Sequence, residues 1–279
     1  MFRSSIYKTP DQLRLMVEPG LATAASLAAA RTKIVAGAST LDIDAAAEAA
    51  ITARGGASNF KLVPGYHHTI CASVNDEVVH GIPSTRVLEP GDIVSIDSGA
   101  ILGGWNGDSA ITVVLPGGDP LEAARRQNLS RITEGSLWAG IARLARARHL
   151  NEVGDAIQTY VENEGAAIGA NYGILTEYIG HGIGQNMHEE PPVFNYRVRQ
   201  KGPEVKPGLV VAIEPMVVMN SPETFVMDDE WTVATTDGGA ASHWEHTVAV
   251  HAHGIWVMTA EDGGAAGLAP FGVSPTPLA

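Results

Sequence analysis

The chain states one short pattern twice, and that repetition limits what it can fold into. PGDIVSID (90–97) is matched by PGLVVAIE (207–214); each has a Pro-Gly turn, an aliphatic run and a carboxylate. HGIP (80–83) precedes the first and HGIG (181–184) the second, while DSAITVV (108–114) follows the first and EHTVAV (245–250) the second. Each half therefore reads His, acid, acid. Three matched pairs in one order predict a duplicated unit folded about a pseudo-twofold axis.

The order of elements agrees with two similar halves. Thr9-Pro10 predicts a helix start, with Thr as cap and Pro in the first turn, and Pro19-Gly20 should kink or interrupt that helix. An alanine-rich helix follows to about Ile34, and a further helix spans Thr40 to Arg54, stopped by Gly55-Gly56. From Phe60 to Leu115 the texture is β. Residues 119–164 are helical, as two helices broken near His149–Asn151, and strands return from Tyr172 to Met258. Residues 1–260 are expected to form one domain, and 261–279, rich in Gly and Pro, a flexible tail.

Side chains alternate along a strand, so the four acids can be placed. Asp97 shares a face with Ser95, Glu214 with Ala212, Asp108 with Ala110 and Thr112, and Glu245 with Thr247 and Ala249. All these neighbours are small. The opposite face, with Val94 and Ile96 or Val211 and Ile213, is aliphatic and should pack on helices. A single acid at a strand end is commonly a turn residue or half of an ion pair. Four converging carboxylates would repel one another, raise their pKa values and call for cations. The 18 Lys and Arg residues lie mostly elsewhere, which makes divalent metals the economical compensation.

GHGIGQNMHEEPPV (180–193) offers imidazole. His181 and His188 are seven residues apart, unlike the four-residue helical spacing of zinc proteases, and on a continuous strand they would point to opposite faces. His181, between glycines, has room to be a ligand, and His188 reads as a group that contacts substrate. One imidazole with four carboxylates suits Mn, Fe, Co or Zn better than a thiolate site would.

The formal net charge of −13 argues against a nucleic-acid-binding surface. The one cysteine, Cys71, permits no internal disulfide and fits a reducing compartment. MFRSSIYKTPDQLR has no signal-peptide core, and LATAASLAAA (21–30) is too short to span a bilayer.

These residues resemble the bacterial-type (type I) methionine aminopeptidases, metallopeptidases of the pita-bread fold. The resemblance runs from about Tyr7 to Ala260 and rests on NFKLVPGYHHTICASVNDEVVHGIP, IDSGAILGGWNGDSAITV, GHGIGQNMHEEPPV, AIEPM and HWEHTVAV, in that order. It implies an α/β (α+β) pita-bread fold, with two pseudo-symmetric halves and an antiparallel sheet covered by helices. Carried over residue by residue, it makes Asp97, Asp108, His181, Glu214 and Glu245 the ligands of two divalent ions, with Asp108 and Glu245 bridging. It implies that Asp97 binds one ion through both oxygens, and that His181 and Glu214 hold the other. His80 and His188 would contact the substrate, Glu214 would also move the proton, and Phe60, Val63, Tyr66, Val79 and Trp231 would wall a methionine pocket.

The implied reaction removes the initiator methionine of nascent proteins when the second residue is small. The implied setting is a cytoplasmic monomer that meets N-terminal Met peptides, with the ribosome a further candidate partner. Neither nucleic-acid nor membrane binding is expected. The chain departs from its relatives at Val63, commonly Tyr, at His67-His68, where Pro-Gly or a similar pair stands, and at His243, commonly Gln. His67 and His68 read as exposed loop residues. His243 shares the face of Glu245 and is expected near the second-residue pocket, with Met216 as its opposing wall. One rival is an X-Pro peptidase on the same fold, which usually carries a large N-terminal domain before the metal half. Another is a non-catalytic binding protein, which typically loses metal ligands.

Overall fold

A computed structural model describes residues 5–278. The first four residues, part of the stretch read for a signal sequence, and Ala279, the end of the expected tail, lie outside them. Helix α1 (Pro10–Leu15) starts as its sequence predicts, with the Thr9 side chain accepting from the Gln12 N–H and the Gln12 side chain from the Thr9 N–H. The interruption is not at Pro19-Gly20 but at Met16, and α2 (Val17–Arg31) runs straight through that pair. Pro19 lies in the first turn of α2, where a missing N–H costs no intrahelical bond. Gly20 has a packing reason to be bare, since a Cβ there would come within 2.5 Å of the Met258 carbonyl oxygen. Helices α3 (Thr40–Ala53), α4 (Pro120–Leu144) and α5 (Asn151–Ala167) fall where the periodicity places them.

Ten strands build and border the site. In chain order they are β1 (Ile70–Val74), β2 (Glu77–Val79), β3 (Ile93–Leu102), β4 (Trp105–Val114) and β5 (Gly180–Gly182), then β6 (Glu189–Val193), β7 (Val210–Ile213), β8 (Met216–Met219), β9 (Ala241–His243) and β10 (Glu245–His251). One antiparallel sheet runs β3-β4-β10-β7-β5-β6, with β1 also pairing β3. The two halves meet where β4 pairs β10.

Alternation places the apolar faces as expected. Val94 and Ile96 pack with Leu27 of α2 and Ile43 of α3, while Val211 and Ile213 pack with Ile141 of α4 and Ile157 of α5. Each fully buried side chain of this size contributes roughly 1.5–3 kcal/mol. A helix pair therefore backs each half of the sheet, and the opposite face is left for the acids. Residues 261–278, which composition alone leaves as a loose tail, hold a helical turn at Ala265–Leu268. Leu268 and Val273 from this segment join the α4–α5 core. Among the described residues no helix is long and apolar enough to cross a membrane.

The contact between α2 and β4 leaves no slack, because a Cβ on Gly107 would lie 2.8 Å from the Gly20 backbone. Gly107→Val is expected to destabilise the fold by about 1–3 kcal/mol through overpacking, read as a lower urea midpoint. An unchanged midpoint would mean that α2 shifts away at no cost.

Candidate active site

Strand register assembles the acids in two rows on one face of the sheet. Ala110 of β4 pairs Asp97 on one side and Glu245 on the other. One step along, Asp108 and Thr247 exchange hydrogen bonds of 3.1 and 2.8 Å, Thr247 pairs Ala212, and Ala212 pairs His181. Glu214 lies just past the end of β7, two residues from Ala212 and on the same face. The small residues predicted beside the acids therefore form the floor on which five side chains converge.

Three groups of potential ligand atoms each fall within 4.8 Å of one another: Asp97, Asp108 and Glu245; His181, Glu214 and Glu245; and Asp108, His181 and His188. His181 Nε2 is 3.5 Å from Glu214 Oε1 and 3.9 Å from Asp108 Oδ2. Two ligands each about 2.1 Å from one ion can be up to about 4.2 Å apart, so these spacings suit a shared cation better than a hydrogen bond. Asp97 Oδ1, Asp108 Oδ1 and Glu245 Oε1 are buried without a hydrogen-bond partner among the described residues. Such orphaned oxygens are costly unless a cation meets them. Oxygen-rich with one imidazole, the donor set fits divalent metals.

The electrostatics agree. Burial pushes Asp97 up to about 7. Burial, and after it repulsion from Asp97, holds Asp108 and Glu214 well above the carboxylate range. Glu245 is raised by burial and then by Asp108, Glu214 and Asp97.

The histidines divide differently from expectation. His181 and His188 do not face apart, because the chain turns back between β5 and β6 and brings their rings to 4.4 Å, edge to face. The opposite-faces reading assumed a continuous strand, which the 184–188 loop breaks. His181 Nδ1 donates to the Gly182 carbonyl at 2.9 Å, leaving the Nε2 lone pair toward the carboxylates. Burial, with His188 nearby, lowers His181 to about 4, and burial lowers His188. His80 follows β2 in the left-handed region, at φ 62, a backbone form costing roughly 1–2 kcal/mol that aims its ring at Tyr178 and the cavity. Burial and His188 hold His80 below its ordinary value. His243 is buried against Glu214 and Glu245, with Nε2 4.0 Å from each, and it does not line the cavity. Met216, its register partner, does. His67 is exposed, whereas His68 is half-buried and bonds Asp44 of α3 through Nδ1 at 3.2 Å.

Above the carboxylates lies a cavity of about 360 Å³. Phe60, Val63, Tyr66, Val79 and Trp231 all line it, as do His80, His181 and His188. The Tyr66 and Trp231 rings lie 5.1 Å apart. The sequence reading missed Cys71, which pairs Asp97 across β1 and β3, and Tyr178. Cys71 becomes visible only through register, whereas Tyr178, three residues before His181, carried a signal in its position. Apolar walls over an acidic floor can seat an apolar side chain and place the adjoining polar bond at the ligand cluster.

The chain matches the family model of metallopeptidase family M24 over residues 14–252. Methionine aminopeptidase 1 of Bacillus subtilis is 42% identical over 91% of this chain and 98% of its own length. Methionine aminopeptidase 1 of Mycobacterium tuberculosis is 44% identical over 90% and 94%. The crystal structure of methionine aminopeptidase from Thermotoga maritima superposes with a TM-score of 0.85 at 34% identity, covering 94% of this chain and all of that one.

Four raised carboxyl pKa values set a direction for stability. The folded, metal-free protein retains protons that the unfolded chain releases above about pH 4. The stability they provide is present below that pH and is lost as pH rises through the raised folded values, about 7 for Asp97. Metal-free protein should therefore melt several degrees lower at pH 8 than at pH 5.5, and saturating Mn(II) or Co(II) should remove most of the difference. Calorimetry with and without metal tests this, and equal metal-free melting temperatures at both pH values would refute the arrangement.

Proposed function

The chain belongs to metallopeptidase family M24, in its methionine aminopeptidase branch, and from that premise we propose that it removes the N-terminal methionine of newly made polypeptides whose second residue is small. The observation that carries this reading is the set of buried, unpartnered carboxylate oxygens on the floor of an aromatic-walled cavity. Asp97, Asp108, His181, Glu214 and Glu245 would hold two divalent cations, Co, Mn, Fe or Zn. When bound, the cations supply Lewis acidity, polarising the scissile carbonyl and making water a nucleophile at neutral pH.

The protein's own residues do the remainder. Phe60, Tyr66 and Trp231, with Val63 and Val79, surround the methionine side chain and exclude water. Glu214 accepts the proton released at the attack and returns it to the leaving amine. His188, neutral and at the cavity mouth, donates to the oxyanion, and His80 hydrogen-bonds the scissile amide. Met216 is the wall that keeps the second residue small. The cytoplasm, where nascent chains begin with methionine, is the fitting compartment, with the protein acting as a monomer that meets its substrates as they leave the ribosome.

Three variants separate holding metal from using it. His181→Ala and Asp108→Asn are expected to lose bound metal, measured after dialysis, together with turnover of Met-Ala-Ser. His188→Ala should keep its metal and lose about a hundredfold in rate, the usual cost of an oxyanion donor. Equal metal loss in His181→Ala and His188→Ala would make His188 a ligand. Turnover of X-Pro peptides in place of Met-Ala-Ser would turn the assignment to a proline peptidase.

A further inference from the structure

A second depression, of about 760 Å³, lies beside the substrate cavity, and His188 lines both. Lys8, Gln12, Asn186, Glu189 and Glu190 are among its walls. We propose that this groove seats the third and later residues of the peptide substrate and favours cationic over anionic side chains there. The inference rests on the aminopeptidase reading and adds to it a second binding region.

The path follows from geometry. With the first residue in the cavity and its peptide bond at the carboxylates, everything beyond the second residue must leave across the mouth. His188, exposed at that mouth, is a wall common to both spaces. The groove is also built to hold its shape. Lys8 Nζ bonds Glu189 Oε2 at 2.8 Å with the lysine side chain only 6% exposed, and the Asn186 N–H donates to Glu189 Oε1 at 3.0 Å. Asn106 Nδ2 donates to the Gly184 and Gln185 carbonyls at 3.0 Å each. The loop that carries His188 is thereby clasped from the N-terminal segment and from β4.

Charge sets the preference. Lys8 and Glu189 neutralise each other, while Glu190 is exposed and makes no ion pair among the described residues. The groove is left net negative on a chain of charge −13. An extended chain advances about 3.3 Å per residue, so residues three to five span roughly 10 Å of groove.

The test compares kcat/KM on Met-Ala-Ser, Met-Ala-Ser-Lys-Lys and Met-Ala-Ser-Glu-Glu. The lysine pentapeptide should exceed the tripeptide, mainly through KM, and exceed the glutamate pentapeptide by about two- to fivefold at low salt. Glu190→Arg should reverse the lysine-to-glutamate ratio. Asn186→Trp should remove the gain from length. Rates independent of length, or an Asn186→Trp effect equal on short and long peptides, would overturn the groove while leaving the aminopeptidase reading in place. An unchanged charge ratio in Glu190→Arg would overturn the charge preference. No turnover of Met-Ala-Ser itself would overturn the aminopeptidase reading and the groove with it.

Discussion

Mutual repulsion among four carboxylates held in a desolvated space is the constraint on which the rest of the structure depends. Asp97, Asp108, Glu214 and Glu245 stand within a few ångströms of one another, and burial and proximity push every one of them toward its neutral form. Such a cluster persists only if the backbone beneath it cannot move apart. Asp97, Asp108, Glu245 and His181 rise from paired antiparallel strands, Glu214 follows the end of β7, and Asp108 and Thr247 lock the two halves together across the seam. Behind the sheet, two helix pairs clamp the aliphatic face, and α2 lies so close to β4 that glycine faces glycine. The apolar core thus supplies the free energy that holds an otherwise unfavourable set of charges ready for cations.

The same economy shapes the edge of the site. The proposed substrate-contacting histidines sit at places the sheet alone cannot hold. His80 occupies a left-handed turn after β2, and His188 sits in a loop secured by a buried Lys8–Glu189 pair and by Asn106. Ion pairs on open surface contribute little, but one with a lysine this buried is costly to break and so fixes geometry. Burial keeps both imidazoles neutral near physiological pH, which leaves each with one N–H to donate. Rigid floor, clasped loop and aromatic walls together frame the cavity above the acids.

Much of this was legible in the sequence, for identifiable reasons. Alternation along a strand is a local rule, so the faces of Asp97, Asp108, Glu214 and Glu245 followed from their neighbours, and the aliphatic partners landed on the helices as read. Caps and glycine stops are local too, and α1 and α3 begin where their capping residues stand. Readings failed where distant contacts decide. Pro19-Gly20 looked like a break and became the first turn of a packed helix. His181 and His188 looked opposed until the chain folded back between them. His243 lies beside Glu214 and Glu245 as its strand face predicts, but buried rather than along the cavity, and His68 looked like free loop and is tied to Asp44.

The sequence by itself determined which residues share a face, because strand periodicity and turn chemistry act over two to four residues. It also determined, through the repeated order of histidine and acids, that two halves would each contribute to one centre. Only the tertiary structure decided how near those groups come, since that depends on interstrand register and on helix packing between residues more than a hundred positions apart. Register set Cys71 opposite Asp97 and closed the seam between β4 and β10, while helix packing buried Leu268 and Val273 from a segment whose composition promised only a tail. Distances of a few ångströms fix a ligand set, and no local rule propagates that far along the chain.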